Sequence, residues 1–130
     1  WFCRPTIIEL NHERLTLKIR LRRRTKNHLG SMYFGALAVG ADLAAGFLCY
    51  VLGKEIKQEI KLVFKSSSAQ FLKRAETDVI FKCEEGSAIQ ALVEKCKQTG
   101  ERQQYTATVN CYNTDNDEVA IFKMELSIKL

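Results

Sequence analysis

The sequence predicts an α+β fold in which an antiparallel β-sheet wraps around one long central helix, with one extra helix at its periphery. The first observation is the apolar segment from Met32 to Leu52, in which Asp42 is the only charged side chain. The second is the alternation of apolar and polar residues in most of the remaining chain, which is typical of half-buried strands. The long helix is therefore expected at the centre of the fold, against one face of the sheet.

The same apolar segment is long enough to span a membrane, and a basic run from Arg20 to Lys26 precedes it. Three features argue against a span. Gly35, Gly40 and Gly46 leave little bulk for a lipid-facing surface. Asp42 would lie near the middle of the bilayer at a cost of about 3 kcal/mol or more, and the flanking segments alternate as in a water-exposed sheet. We therefore expect no membrane span.

Composition predicts one domain over residues 1–130, because 46% hydrophobic content and a single proline favour a packed core of this size. The five cysteines, Cys3, Cys49, Cys83, Cys96 and Cys111, show no metal-ligand spacing. Together with the absence of a signal segment at the start as given, they predict core thiols in a reducing cytoplasm. His12 and His28 are far from any acid or cysteine cluster, so no metal site is expected.

The segment before the apolar stretch predicts two strands and a loop. The strands are Thr6 to Leu10 and Arg14 to Arg22, and the second alternates with a basic outer face. The loop from Lys26 to Ser31 ends at Ser31, which is predicted to be the N-cap of the central helix. Such a helix start would leave the backbone N–H groups of Met32, Tyr33 and Phe34 available to an anion or a polarised carbonyl oxygen.

The rest of the chain predicts a helix end at Gly53 and a run of mostly antiparallel strands with one amphipathic helix. Ser66 to Ser68 is expected to interrupt the first of these strands. The predicted elements are strands at Ile56–Lys65, Ala69–Arg74 and Asp78–Cys83, a helix at Glu85–Thr99 that stops at Gly100, and a hairpin of Arg102–Tyr112 and Glu118–Leu130 around Asn113–Asp117.

The position of Asp42 on the central helix predicts a site shared between two chains. Asp42 shares the face of Gly35 about 10 Å further along the helix axis. Within one chain this is too far for the Phe34 N–H and the Asp42 carboxyl to reach one small group. A two-fold dimer with two such helices side by side could bring one chain's helix start near the other chain's Asp42.

The pattern Asn27-x-x-Gly30-x-x-Tyr33-Phe34-Gly35, followed seven residues later by Asp42, resembles the signature of hot-dog thioesterases of the phenylacetyl-CoA type. In those proteins Asn-x-x-Gly-x-x-His-Gly-Gly precedes an Asp on the central helix. The order of elements along the whole chain is similar to theirs. The chain looks closest to a bacterial branch found as the C-terminal domain of some acetyltransferase fusions.

This resemblance implies a hot-dog fold and hydrolysis of an acyl-CoA or acyl carrier protein thioester at a homodimer interface, with pairing into tetramers left open. It implies that Asp42 is the general base or nucleophile, that the Phe34 N–H contributes the oxyanion hole, and that Asn27 positions the carbonyl or the water. Such a donor is typically worth about 3 kcal/mol in the transition state. Coenzyme A enters as part of the substrate, and no separate cofactor is implied.

The chain departs from the family pattern at Tyr33 and Phe34, which replace His-Gly. The Tyr33 hydroxyl could take over the role of the imidazole, and the Phe34 side chain could narrow the pocket. Gly35 is expected beside the substrate. The polar residue that the family often places early in the next strand has no clear match here, and Gln58 and Ser68 are two loose candidates for it.

Three alternatives remain open at this level. Arg23 and Arg24, within the basic run, either hold coenzyme A phosphates or form a solvated strand end. The Tyr33-Phe34 replacement makes a non-catalytic acyl-ligand-binding protein a credible second function. Nucleic-acid binding is suggested only by the net charge of +5 and the arginine run, and no recognition motif accompanies them, so no nucleic-acid partner is expected.

Overall fold

The computed structural model describes residues 3–130; the first two residues of the predicted domain, at positions 1 and 2, lie outside the described residues. Six antiparallel strands form one sheet with the order β1-β2-β4-β5-β6-β3. The elements, in chain order, are β1 Thr6–Leu10, β2 Leu15–Ile19, α1 Phe34–Glu55, β3 Lys61–Phe71, β4 Val79–Cys83, α2 Gly86–Thr99, β5 Gln103–Tyr112 and β6 Glu118–Lys129. The predicted α+β class is confirmed.

The central helix α1 packs on one face of the sheet, chiefly over β2 and β4 and less over β5 and β6. Small side chains on its buried face let it lie close to the strands. At Gly40 the approach is closest, because a Cβ atom there would overlap the ring of Phe81, which is itself fully buried in β4. The apolar helix is therefore the core helix of the fold, although its length and hydropathy are also those of a membrane span.

The face of α1 that points away from the sheet is open in the single chain. Tyr50 and Asp42 are exposed along it, and Phe34 is exposed at the first residue of the helix. Strand β3 lies next to this face and forms one edge of the sheet, pairing only with β6. An unpaired strand edge beside an exposed apolar helix face is a surface that a partner can cover.

Three predicted boundaries are wrong. Helix α1 continues past Gly53 to Glu55, because Gly53 packs closely against the Gln58 carbonyl and Ile60 of the following turn instead of ending the helix. The strand predicted from Ile56 begins only at Lys61, since the intervening residues form that turn. Ser66 to Ser68 does not interrupt the strand, which runs through it to Phe71.

The strand accommodates this segment through a bulge. Its register with β6 shifts between Phe64 and Ser66, so one extra residue is inserted there. Phe64 is opposite Leu126 and Ser67 is opposite Met124, and both of these partners are buried on the helix side of the sheet. The bulge therefore leaves Phe64 and Ser67, three residues apart, facing α1.

The remaining predicted elements agree with the structure to within one or two residues, apart from β2, which is shorter than predicted. Helix α2 ends at Gly100, whose φ of 69° is the left-handed value that favours glycine at this position. The hairpin of β5 and β6 turns at Asn113, whose Oδ1 accepts hydrogen bonds from the N–H groups of Asp115 and Asp117. These turn contacts explain why the sequence pattern was sufficient there.

We expect Gly40→Ala to lower the free energy of unfolding by about 1–3 kcal/mol, because the added methyl overpacks the contact with Phe81. Gly46→Ala is the matched control on the same helix, where the nearest atoms lie 3.9 Å from the new Cβ. That substitution should be neutral or stabilising by up to about 1 kcal/mol, as helix propensity favours alanine. Urea titrations of the two variants measure the difference, and equal effects would contradict the tight helix–sheet contact.

Candidate active site

Asp42 lies in an open groove between the outer face of α1 and strand β3, which we call the acid groove. Its volume is about 480 Å³, and Asp42 is the only titratable side chain among its lining residues. Three adjacent serines also line it. The lining residues are Phe34, Ala38, Asp42, Phe64, Ser66, Ser67, Ser68, Ala69, Phe71, Phe122 and Met124.

Apolar neighbours raise the pKa of Asp42 through partial burial of its carboxyl group, although the residue is exposed in the single chain. No hydrogen bond or ion pair to the carboxylate is found within residues 3–130 to oppose this effect. A carboxylate with a raised pKa is a stronger base, and it can accept a proton from a nearby water molecule or attack an electrophile directly.

The start of α1 differs from the prediction. Tyr33 is the N-cap and makes no side-chain capping bond, so Ser31 is not the cap. Instead Ser31 is buried, and its hydroxyl accepts a hydrogen bond from the Arg74 guanidinium. The N–H groups of Met32 and Tyr33 are not available either, because they donate to the carbonyls of Ala75 and Thr25.

Phe34 keeps the free backbone donor that was predicted for it. As the first residue of α1 its N–H has no intrahelical acceptor, and no other acceptor lies within reach among residues 3–130. The Gly35 N–H is free in the same sense, since the hydrogen bonds back to the Tyr33 carbonyl begin at Ala36. Two adjacent N–H groups at a helix start form a site for a partial negative charge.

Asn27 holds the loop before the helix in place. Its side-chain Oδ1 accepts hydrogen bonds from the N–H groups of Leu29 and Ser31, at 2.9 and 3.0 Å. Arg74 fastens the same loop to the chain after β3 by donating to the Leu29 carbonyl at 2.7 Å. The Asn27 oxygen is thus engaged in the loop, while its amide nitrogen has no partner among the described residues.

Asn27 also lines a second groove on the far side of Phe34, which we call the loop groove. This groove has a volume of about 560 Å³ and is mostly apolar. Its lining residues are Asn27, Leu29, Ser31, Met32, Phe34, Leu37, Phe71, Leu72, Lys73, Arg74 and Ala75. Phe34 and Phe71 belong to both grooves.

The other predicted residues are not all brought together. The Tyr33 ring packs over Gly35 and neither residue lines a groove; burial and the nearby Cys3 thiol raise the pKa of Tyr33. Arg23 and Arg24 line a separate basic pocket of about 250 Å³ with Arg22, Arg4 and Cys3. Gln58 lies in the turn after α1, away from the acid groove.

Ser67 is the groove hydroxyl that the sequence prediction missed in favour of Ser68. Both residues line the acid groove, but Ser68 is opposite the exposed Lys123, on the outer side of the sheet. Ser67 is on the helix side, and its hydroxyl makes no hydrogen bond within residues 3–130. Strand alternation alone could not have found it, because the bulge before Ser66 reverses which residues face α1.

Within residues 3–130 no group of three or more His, Cys, Asp or Glu side chains is arranged to hold a metal ion. All five cysteines are buried free thiols. Burial raises the pKa of Cys49, Cys83 and Cys111 to about 12, so these thiols are neutral and unreactive at ordinary pH.

A six-stranded antiparallel sheet with a long helix packed on one face and a second, smaller helix is the architecture of the hot-dog fold. The chain belongs to the family described as "Domain of unknown function (DUF4442)", whose model matches residues 2–128. The resemblance to the hot-dog superfamily is thereby confirmed. No curated protein matches the chain significantly.

Solved structures show the same fold at low sequence identity. A Pseudomonas aeruginosa protein of unknown function, described as a probable thioesterase, is 19% identical with a TM-score of 0.82, covering 98% of this chain and 83% of that one. A Chlorobaculum tepidum protein of unknown function is 14% identical with a TM-score of 0.85 and the same coverage. A P. aeruginosa thioesterase, solved as a mutant, is 13% identical with a TM-score of 0.74, covering 98% and 82%.

We expect direct titration to find the pKa of Asp42 above the ordinary aspartate range and that of Asp117 below it. Asp117 is the internal control, because hydrogen bonds from Lys73 and Asn113 lower its pKa. Carboxyl-carbon NMR shifts against pH measure both pKa values.

The raised pKa of Asp42 also stabilises the folded protein at low pH, and this contribution to the free energy of unfolding disappears as the pH rises through the shifted pKa. The stability of the native protein relative to Asp42→Asn should therefore fall over that interval; a normal Asp42 pKa would contradict the apolar setting.

Proposed function

We propose that this protein hydrolyses acyl thioesters of coenzyme A or of acyl carrier protein. The observation that carries the proposal is the isolated Asp42 carboxyl in an otherwise uncharged, largely apolar groove on the core helix of a hot-dog fold. Partial burial of an unpaired carboxylate costs free energy, and such groups are concentrated at functional sites. The apolar lining suits an acyl chain. The thioesterase descriptions of structural neighbours agree with this class of substrate.

In the proposed reaction the thioester carbonyl oxygen accepts a hydrogen bond from the free Phe34 N–H. This donor stabilises the negative charge that the oxygen gains in the tetrahedral transition state. Asp42 either deprotonates the attacking water or attacks the carbonyl itself and is released by water in a second step. The coenzyme A thiolate leaves in both routes. Asn27 helps position the carbonyl or water through its amide nitrogen, since its oxygen is held by the loop.

We further propose that the working unit is a homodimer formed through β3 and the open face of α1. Phe34 and Asp42 are eight residues apart on one helix, about 12 Å along its axis, so they do not converge within a chain. A two-fold axis beside α1 would pair the Phe34 N–H of one protomer with Asp42 of the other. The exposed Tyr50 on the same face and the free edge of β3 support this interface. Whether dimers pair further is open.

The basic pocket of Arg22, Arg23 and Arg24 is proposed to hold the phosphates of coenzyme A. Its loop is well braced, since the buried Thr25 hydroxyl donates to the Arg20 carbonyl and accepts from the Arg22 N–H. A cluster of guanidinium groups on a braced loop is suited to phosphate oxygens. The pocket shares no lining residue with the acid groove within one chain, so the proposal places the carrier phosphates and the acyl group in different parts of the surface.

One observation favours a second candidate, an acyl-ligand-binding protein without hydrolysis. No second titratable group lines the acid groove, so Asp42 has no acid or base to assist it within one chain. A protein of this kind would bind acyl-CoA in the same groove and release no thiol. The assay below separates the two candidates.

We expect Asp42→Asn to reduce thiol release from the best acyl-CoA substrate by about 10²- to 10⁴-fold, the usual contribution of a positioned base. Asp117→Asn is the matched control, because this exposed acid lies in the β5–β6 turn and should leave the rate unchanged. Release is followed with a thiol reagent over acyl-CoAs of graded length. If the native protein binds acyl-CoA but releases no thiol, the proposed hydrolase function is rejected and the acyl-ligand-binding function is favoured.

We expect Tyr50→Glu to shift the protein toward a monomer in sedimentation velocity and to lower thiol release in parallel, because it places a charge on the open face of α1. Ile8→Glu is the control, since this exposed residue lies at the opposite edge of the sheet, in β1. A Tyr50→Glu protein that remains dimeric, or a fully active monomer, would contradict the shared site.

A further inference from the structure

Phe34 and Phe71 form an aromatic wall between the acid groove and the loop groove. Phe34 is the first residue of α1 and Phe71 the last of β3, and their ring centroids lie 5.9 Å apart at an interplanar angle of 72°. Phe71 also contacts Phe122 in β6, edge to face at 6.2 Å. The three rings extend from the buried core, where Phe122 is 2% exposed, to the surface, where Phe34 is 61% and Phe71 54% exposed.

The wall is the boundary of both grooves, because Phe34 and Phe71 are the only residues that line each of them. On the far side, the loop groove offers an apolar surface from Leu29, Met32, Leu37 and Leu72. This space is at least as large as the acid groove itself. Large aromatic rings so exposed are seldom left beside an apolar groove without a role in binding.

We propose that the Phe34–Phe71 wall determines acyl-chain length by separating the loop groove from the acid groove, so that the native protein takes short-chain acyl thioesters. This inference rests on the proposed function, in which the thioester carbonyl is held at the Phe34 N–H. From that point the loop groove is the adjacent apolar space that a long acyl chain would fill, and the two rings lie on the boundary between it and the acid groove. Short chains end before the wall, whereas longer chains meet it.

Phe71 is the specificity residue to test, since the proposed chemistry uses the Phe34 backbone and leaves Phe71 free to vary. Phe71→Ala removes one ring of the wall and joins the two grooves, while Phe71→Leu keeps most of the apolar bulk. Each methylene that becomes buried should tighten acyl-CoA binding by about fourfold. Because Phe71 is more than half exposed, its removal costs little core packing.

The experiment measures the Kd of saturated acyl-CoAs, from acetyl to palmitoyl, by calorimetry on the Asp42→Asn background, where no hydrolysis consumes the ligand. With Phe71 present we expect affinity to stop rising after the short chains. With Phe71→Ala it should continue to rise with chain length, and Phe71→Leu should follow the native profile. Leu29→Ala is the control, because it widens the loop groove without opening the wall.

Three results would overturn the inference. They are an affinity that rises up to palmitoyl-CoA with Phe71 present, an unchanged chain-length profile in Phe71→Ala, and no binding of any acyl-CoA. An equal response to Leu29→Ala would do the same. Sedimentation of Phe71→Ala at the native size excludes a change in assembly as the cause. Failure of the proposed hydrolysis is recognised separately, as absent thiol release by protein that retains Asp42 and still shows the chain-length limit in binding.

Discussion

The close approach of α1 to the sheet at Gly40 and Phe81 is the contact on which the rest of the structure depends. With a larger residue at Gly40 the helix would have to rise from β4 or the fully buried Phe81 ring would have to shift, because a Cβ atom there overlaps that ring. The height of the helix sets the depth of the groove beside β3 and the position of the Asp42 carboxyl within it. Packing in the core therefore fixes the geometry of the candidate site on the opposite face of the helix.

Much of the fold was predictable because its signals are local. The apolar segment, the alternation in β2 and β6 and the turn residues Asn113 to Asp117 each act within a few neighbours, and Gly100 marks the end of α2. The wrong predictions concern positions where a contact with a residue distant in sequence determines the local structure. Ser31 has the chemistry of an N-cap, yet Arg74, 43 residues away, takes its hydroxyl. Gly53 stays helical because a later turn packs against it.

The candidate site was predictable in its parts rather than in its arrangement. Asp42 stands out in the sequence as the only charged residue of the apolar segment from Met32 to Leu52, and the free Phe34 N–H follows from helix geometry. The sequence could not favour Ser67 over Ser68, because a β-bulge determines which of the two side chains faces α1. The bulge is a property of the pairing between β3 and β6 and has no local sequence signal. The aromatic wall was equally hidden, since Phe34 and Phe71 are distant in the chain and meet only after β3 pairs.

The two edges of the sheet differ in a way that bears on aggregation. Strand β1 has five residues and an irregular register with β2, whereas β3 has eleven residues and an unpaired side along its length. A short, irregular edge is a poor template for an incoming strand, while a long one is a good template. In the proposed dimer the free edges of the two β3 strands pair with each other, so that only the β1 edges remain exposed. Extension of the sheet then stops at the dimer. The difference between the β3 edge and the β1 edge therefore allows two chains to associate and prevents the growth of fibres.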